Sequence, residues 1–358
     1  MNSQKFPSMV FAFLLASLCG LIFHLLHIPV GWLLGSIASI MIFTIVTKKE
    51  LHWPPYLRNI GILIIGYSMG LSLTKEALIF IGHQLPSMLL MTVFIVLLSA
   101  LTAFLISKLT GINYPSVLIG SIPGGLSQMM ILAEETKGVN VTVVTFLQVI
   151  RLIMIIFLVP FLIFGPLFGE EQSFVPEVVT PHWSGLFPNL IVFAVVAIVF
   201  ALLFKKMGTP TPFLLGPILG TALLGLIGFN GPELPIGLLD LSQILIGVNI
   251  GLMMHPEKLE HKTKLITLAL VSSTFLILGS LFLSFVLSQY FHFSEATSFL
   301  SLSPGGMDQM AIIAHEVGAD LSVVTGYQLF RLFFIFFAVP PLLKWIFKKS
   351  LKYSSSDR

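Results

Sequence analysis

The 358-residue chain has a single cysteine, Cys19, which excludes an internal disulfide, and only 10% of its residues are charged. No CxxC or HExxH pattern occurs among its nine histidines, so neither a redox pair nor a common zinc site is written in it. His24 and His27 lie one helical turn apart, but two ligands without a third do not make a metal site. They read as interfacial histidines, and no metal or cofactor is expected. The scarcity of charge also rules out the solvated surface of a soluble protein, for which roughly a quarter of residues are charged. What fills the chain instead is apolar: 56% hydrophobic residues and a mean hydropathy of +0.99. Apolar runs near the ~20 residues needed to cross a ~30 Å hydrocarbon core recur through both halves. The composition is that of an integral membrane protein, with the lipid bilayer as its first partner. The net charge of +3 is small, and the lysines sit in short loops beside apolar runs. They are orientation signals and give no support to nucleic-acid binding. The N-terminal run "MVFAFLLASLCGLIFHLL" after Lys5 is long and ends without an A-x-A-like cleavage site, so it is read as a retained first helix.

The sequence repeats. Pro123–Glu135 and Pro304–Glu316 agree at eight of thirteen positions at an offset of 181, and Thr142–Pro160 and Ser322–Pro340 agree at ten of nineteen at an offset of 180. Upstream, "PVGWLLG" at Pro29–Gly35 aligns with "PTPFLLG" at Pro210–Gly216, and Gly66 and Gly70 align with Gly247 and Gly251. The chain is two copies of one unit, 1–175 and 182–358, with a polar linker over 168–185. Each copy predicts five long crossings and one interrupted element. The crossings fall near 8–27, 30–47, 58–75, 86–108 and 139–166, then near 186–206, 211–229, 236–255, 264–289 and 320–347. The interruptions fall within 114–136 and 294–317. The fold class expected is therefore an all-α polytopic membrane protein built from two repeats.

Loop charge gives their relation. Lys5, Lys48, Lys49, Arg58 and Lys108 in the first copy, and Lys205, Lys206, Lys258, Lys262, Lys264, Lys344, Lys348, Lys349 and Lys352 in the second, all fall on one side only if each copy crosses an odd number of times. The second copy is then inverted, both termini are cytoplasmic, and each interrupted element is a re-entrant hairpin; a broken spanning helix is the alternative. Lys75 and Lys137 do not follow the pattern. Either way the tips Pro123-Gly124-Gly125 and Pro304-Gly305-Gly306 lie near the midplane. Bare peptide groups there cost several kcal/mol each if they face lipid, so a protein-lined or watery cavity must surround them. Inverted repeats with broken helices at mid-membrane are the design of secondary transporters.

The duplicated signature "PGG-x-x-QM … VVT-x-x-Q-x-x-R" resembles that of the AbrB-type membrane protein family, over essentially the whole chain. That family in turn resembles the superfamily of cation:proton antiporters and anion transporters, which implies paired discontinuous helices at a central site. Some of its members carry the labels ammonia monooxygenase or transition-state regulator. No copper-ligand cluster and no soluble DNA-binding segment supports either label here.

The polar residues near the interruptions are the candidate site. Ser127 and Asp308 hold the same repeat position, as substrate or ion ligands or as first-turn caps, and Gln128 and Gln309 line the cavity or bond between helices. Arg151 and Arg331 lie about a dozen residues into apolar crossings, where an arginine costs at least ~2.5–3.5 kcal/mol. Thr145, Gln148 and Arg151, like Thr325, Gln328 and Arg331, share one helical side. Each arginine either clamps an anion with its planar fork or pairs with Glu135, Glu316 or the free carbonyls of a broken helix. Glu135, His315 and Glu316 end the second half-helices as solvated residues or as a proton relay. No catalytic constellation is present, and the chain is not expected to be an enzyme. The expected function is secondary transport of a small solute, a small organic anion before others, coupled to H+ or Na+ in the bacterial inner membrane. A membrane-embedded regulator of gene expression is the alternative, and a homodimer is left open.

Overall fold

A computed structural model describes residues 5–49, 51–136, 138–165, 189–209, 211–229, 231–253 and 262–356, with backbone alone for Ser127, Gln128, 262–265 and 344–356. The linker expected at 168–185 lies outside these residues, as do Lys137 and Lys258. The described residues form fourteen helices: α1 (Lys5–Leu25), α2 (Gly31–Thr47), α3 (Pro55–Ser72), α4 (Lys75–Thr110), α5 (Tyr114–Ser121), α6 (Leu126–Glu135), α7 (Val141–Ile163), α8 (Asn189–Lys206), α9 (Pro212–Ile227), α10 (Ile236–Gly251), α11 (Lys262–Phe291), α12 (Glu295–Leu302), α13 (Met307–Glu316) and α14 (Leu321–Ser356). No strand occurs among the described residues. Six of the helices, α1, α4, α7, α8, α11 and α14, are long and apolar enough to cross a membrane, and the protein is an all-α polytopic membrane protein. The apolar helices α2, α9 and α10 have 16–17 residues, about 25 Å at 1.5 Å per residue.

The element order is the same in each copy: three helices, a long fourth, two short helices around a break, and a last long helix. The fourth helix of the first copy starts eleven residues before the expected boundary and runs through Pro86. A buried polar cluster lies beside that proline. Ser87 Oγ donates to the Gln84 carbonyl at 2.8 Å and lies 2.6 Å from the Tyr327 hydroxyl, all of it buried.

The copies also agree in how their helices end. Left-handed residues occur at His27 and Gly208, Gly111 and His292, Gly138 and Gly318, and at Lys48 and Gly228, which close α2 and α9. After α1, the N–H groups of His27 and Ile28 donate to the carbonyls of His24 and Phe23, both at 3.0 Å. After α8, Gly208 and Thr209 do the same to Lys205 and Phe204, both at 3.2 Å. This is the αL helix stop, for which glycine is the natural residue. Three of the four pairs keep glycine in one copy only.

The chain divides into two compact units, each drawn from both copies. The first takes described residues within Met1–Gly82, Ile156–Lys258 and Asp308–Thr325, and the second those within His83–Ile155, Leu259–Met307 and Gly326–Arg358. In the first unit α1 packs on α2 and α8 on α9, while α2 packs on α10 and α3 on both α9 and α10. The repeated glycines set the cross-copy distances. A Cβ on Gly66 of α3 would stand 2.8 Å from the Leu214 carbonyl of α9, and one on Gly251 of α10 would stand 2.9 Å from the Ile37 carbonyl of α2. Small residues allow this approach where lipid gives no hydrophobic drive between helices. In the second unit α5 packs on α6 and α11 on α12, and both interruptions belong to it.

Candidate functional site

The breaks come from the chain's own chemistry. Pro123 and Pro304 lack the N–H that would continue α5 and α12, and the residues flanking the first break are extended, with φ/ψ of −64°/129° at Ile122 and −64°/132° at Gly125. Ser303 opens the second break at −55°/130°. No left-handed glycine is involved. Gly124 sits closely packed: a Cβ there would come within 2.8 Å of the Met129 terminal methyl and 3.1 Å of Ile335, so both side chains would have to give way.

An eight-residue helix that ends inside the bilayer leaves its last carbonyls without donors. In the first copy the following long helix supplies them. Gln148 Nε2 donates to the Ile119 and Ile122 carbonyls, both at 3.0 Å. Arg151 Nη1 donates to Ser121 at 3.1 Å and Ile122 at 2.9 Å, and its Nη2 donates to Gln148 Oε1 at 2.6 Å. The second copy repeats the arrangement. Gln328 Nε2 donates to Leu300 at 2.7 Å, Arg331 Nη1 to Leu302 at 3.2 Å and Ser303 at 2.7 Å, and Nη2 to Gly305 at 3.2 Å and to Gln328 Oε1. Each Gln–Arg pair thus closes the carboxyl end of a half-helix from outside, where the helix dipole also favours a cation.

Of the alternatives open for the arginines, the carbonyls of the broken helices are the partners described, not Glu135 or Glu316. Both arginines are buried, and the like charge of Arg331 acts on Arg151. Every hydrogen bond described for either guanidinium goes to a neutral oxygen.

The helices that carry the arginines are started by side-chain caps. Asn140 Oδ1 accepts from the N–H of Thr142 at 3.0 Å and Val143 at 3.2 Å. Asp320 Oδ1 does the same for Ser322 at 2.9 Å and Val323 at 3.1 Å. Thr145 Oγ1 bonds within its own helix, to Val141 at 2.9 Å.

The remaining candidates belong to the first unit or to the helix ends. The Asp308 carboxylate caps α13, accepting from its own N–H and that of Gln309 and bonding the Gln309 side chain, with Arg58 acting on it electrostatically. Gln309 Oε1 and Thr325 Oγ1 are buried without a partner. Glu316 Oε1 accepts from Gln243 Nε2 at 2.8 Å, and Gln243 Oε1 accepts in turn from the Leu33 N–H at 3.2 Å. Glu316 and His24 act electrostatically on Asp240. Glu135, His315 and Glu316 are all exposed. The side chains of Ser127 and Gln128 lie outside the described residues.

Arg58 was read from sequence only as an orientation charge, and Asp240 and Gln243 were not singled out. Asn140 and Asp320 could have been found as a capping residue type at the same place in both copies.

Fold and site together define an internally duplicated, multi-pass helical membrane protein with two interrupted helices, each closed by a glutamine and an arginine. Residues 32–347 match the family described as "Transition state regulatory protein AbrB", and the chain belongs to that family. Among its relatives, "Uncharacterized protein YhjN" of Bacillus subtilis (strain 168) is 25% identical, over 91% of this chain and 89% of its own length. "Putative regulator AbrB" of Escherichia coli (strain K12) is 26% identical, over 90% of this chain and 92% of its own.

Proposed function

We propose that this protein is a secondary active transporter of a small organic anion, coupled to H+ or Na+, and not an enzyme. The observation that carries this reading is the pair of buried arginines whose described partners are all neutral. Two guanidiniums bring +2, whereas the two half-helix carboxyl ends they close bring only about −0.5 each. A positive remainder persists in a region where charge is expensive, and an anion is the group that offsets it.

Transport then proceeds by alternating access, the unit that holds both interruptions moving relative to the other. This reading takes the membrane to be a bacterial inner membrane and both termini to be cytoplasmic, as the loop charges favour. The test is uptake by proteoliposomes, or by cells expressing the protein, over a panel of labelled organic acids. Arg151→Gln and Arg331→Gln should each abolish uptake while folded protein remains in the membrane. Undiminished uptake in both variants would overturn the assignment. The panel is best chosen by a thermal-shift screen against organic acids, amino acids and metal cations, with and without sodium.

A further inference from the structure

The two arginines sit in matching sequence contexts, yet their guanidiniums are not equally engaged. Arginine has five N–H groups in a fixed planar fork. Arg331 directs four bonds from its two terminal nitrogens, to the carbonyls of Leu302, Ser303 and Gly305 and to Gln328. Arg151 has no described counterpart of the Gly305 bond. Neither arginine has a described bond from its Nε–H, and that of Arg151 is fully buried without a partner, in a residue only 6% exposed. A buried N–H on a charged group is costly to leave unmade. An unpartnered N–H on a buried guanidinium calls for an acceptor.

From this asymmetry we propose that Arg151 alone reads the substrate, its Nε–H donating to a carboxylate oxygen of the transported anion, while Arg331 is a positioning residue that fixes the end of α12. A carboxylate is the fitting class because it only accepts, is planar, and matches the side edge of a guanidinium. This deepens the anion-transport reading and rests on it.

The chain contains four arginines, Arg58, Arg151, Arg331 and Arg358, so the full-length protein labelled with 15N-arginine in detergent or nanodiscs should give four Nε–H signals at most. They are assigned by Arg58→Lys, Arg331→Lys and Arg358→Lys. The probes are acetate, pyruvate, lactate, succinate and glutamate, with chloride as control. The Arg151 signal is expected to shift on addition of at least one carboxylate, and to keep that shift in Arg331→Lys. By calorimetry Arg151→Lys, which keeps the charge and loses the Nε–H, should bind that carboxylate about ten-fold more weakly or worse. Arg331→Lys should instead lower the melting temperature of the ligand-free protein and change affinity by less than about three-fold.

A carboxylate that binds without moving the Arg151 signal, or that binds Arg151→Lys as tightly as the unsubstituted protein, overturns the proposal and leaves anion transport standing. If no anion on the panel binds or is taken up by the unsubstituted protein, the transport reading itself falls. The Nε–H measurement is made on the unsubstituted protein, so it decides the question even where Arg151→Lys does not fold.

Discussion

His27, Lys48 and His292 hold left-handed backbone at helix stops where the other copy has Gly208, Gly228 and Gly111. All three side chains are exposed, so glycine would remove backbone strain and no packing. Each of His27→Gly, Lys48→Gly and His292→Gly should stabilise the protein by up to about 1 kcal/mol. That is the left-handed penalty of about 1–2 kcal/mol less the extra chain entropy that glycine loses. Denaturation of purified protein in detergent, with Gly208→Ala as a control expected to move the other way, checks this. At this scale the sequence was legible where a residue is out of place in its solvent: an arginine in an apolar run announces itself. Its partners were not legible. Which carbonyls lose their donors depends on where α5 and α12 end, and on which long helix lies beside those ends.

The half-helices show how one element's defect is met by another. A broken helix is a source of bare carbonyls, and in both copies the remedy comes from positions seven and ten residues into the next long helix, Gln148 with Arg151 on α7 and Gln328 with Arg331 on α14. Those long helices depend in turn on their first turns. Asn140→Ala and Asp320→Ala each remove a side-chain acceptor from two backbone N–H groups, and each should cost about 0.5–2 kcal/mol, read as a lower melting temperature. Asn140→Asp should keep the cap and the stability. Most element boundaries were readable from apolar run length and from proline and glycine. The start of α4 was not, because Pro86 looked like a border while the structure carries it inside a helix. Proline kinks or breaks a helix by removing one bond and crowding the preceding turn, and whether packing holds the helix together regardless depends on neighbours distant in sequence; here Gln84, Ser87 and Tyr327 form a buried polar cluster beside it.

For the whole molecule, the duplication was plain in the sequence because eight of thirteen positions around the interruption recur. The division into compact units was invisible there, since each unit gathers helices from both copies and no local pattern states which helix will neighbour which. The inversion expected from loop charge has a direct test. Single cysteines placed in a Cys19→Ala background within 26–29 and, in the other copy, within 207–209 should react with an impermeant thiol reagent from opposite sides of the membrane. Labelling of both from the same side would reject inversion.

The packing of α2 on α10 and of α3 on α9 bears on whether one copy can stand alone. A gene encoding one copy would yield a molecule whose second and third helices lack the counterparts they pack against here, and only the other copy could supply them. Severing the present chain between 166 and 188 and producing both fragments together should rebuild that bundle, whereas either fragment produced alone should be degraded.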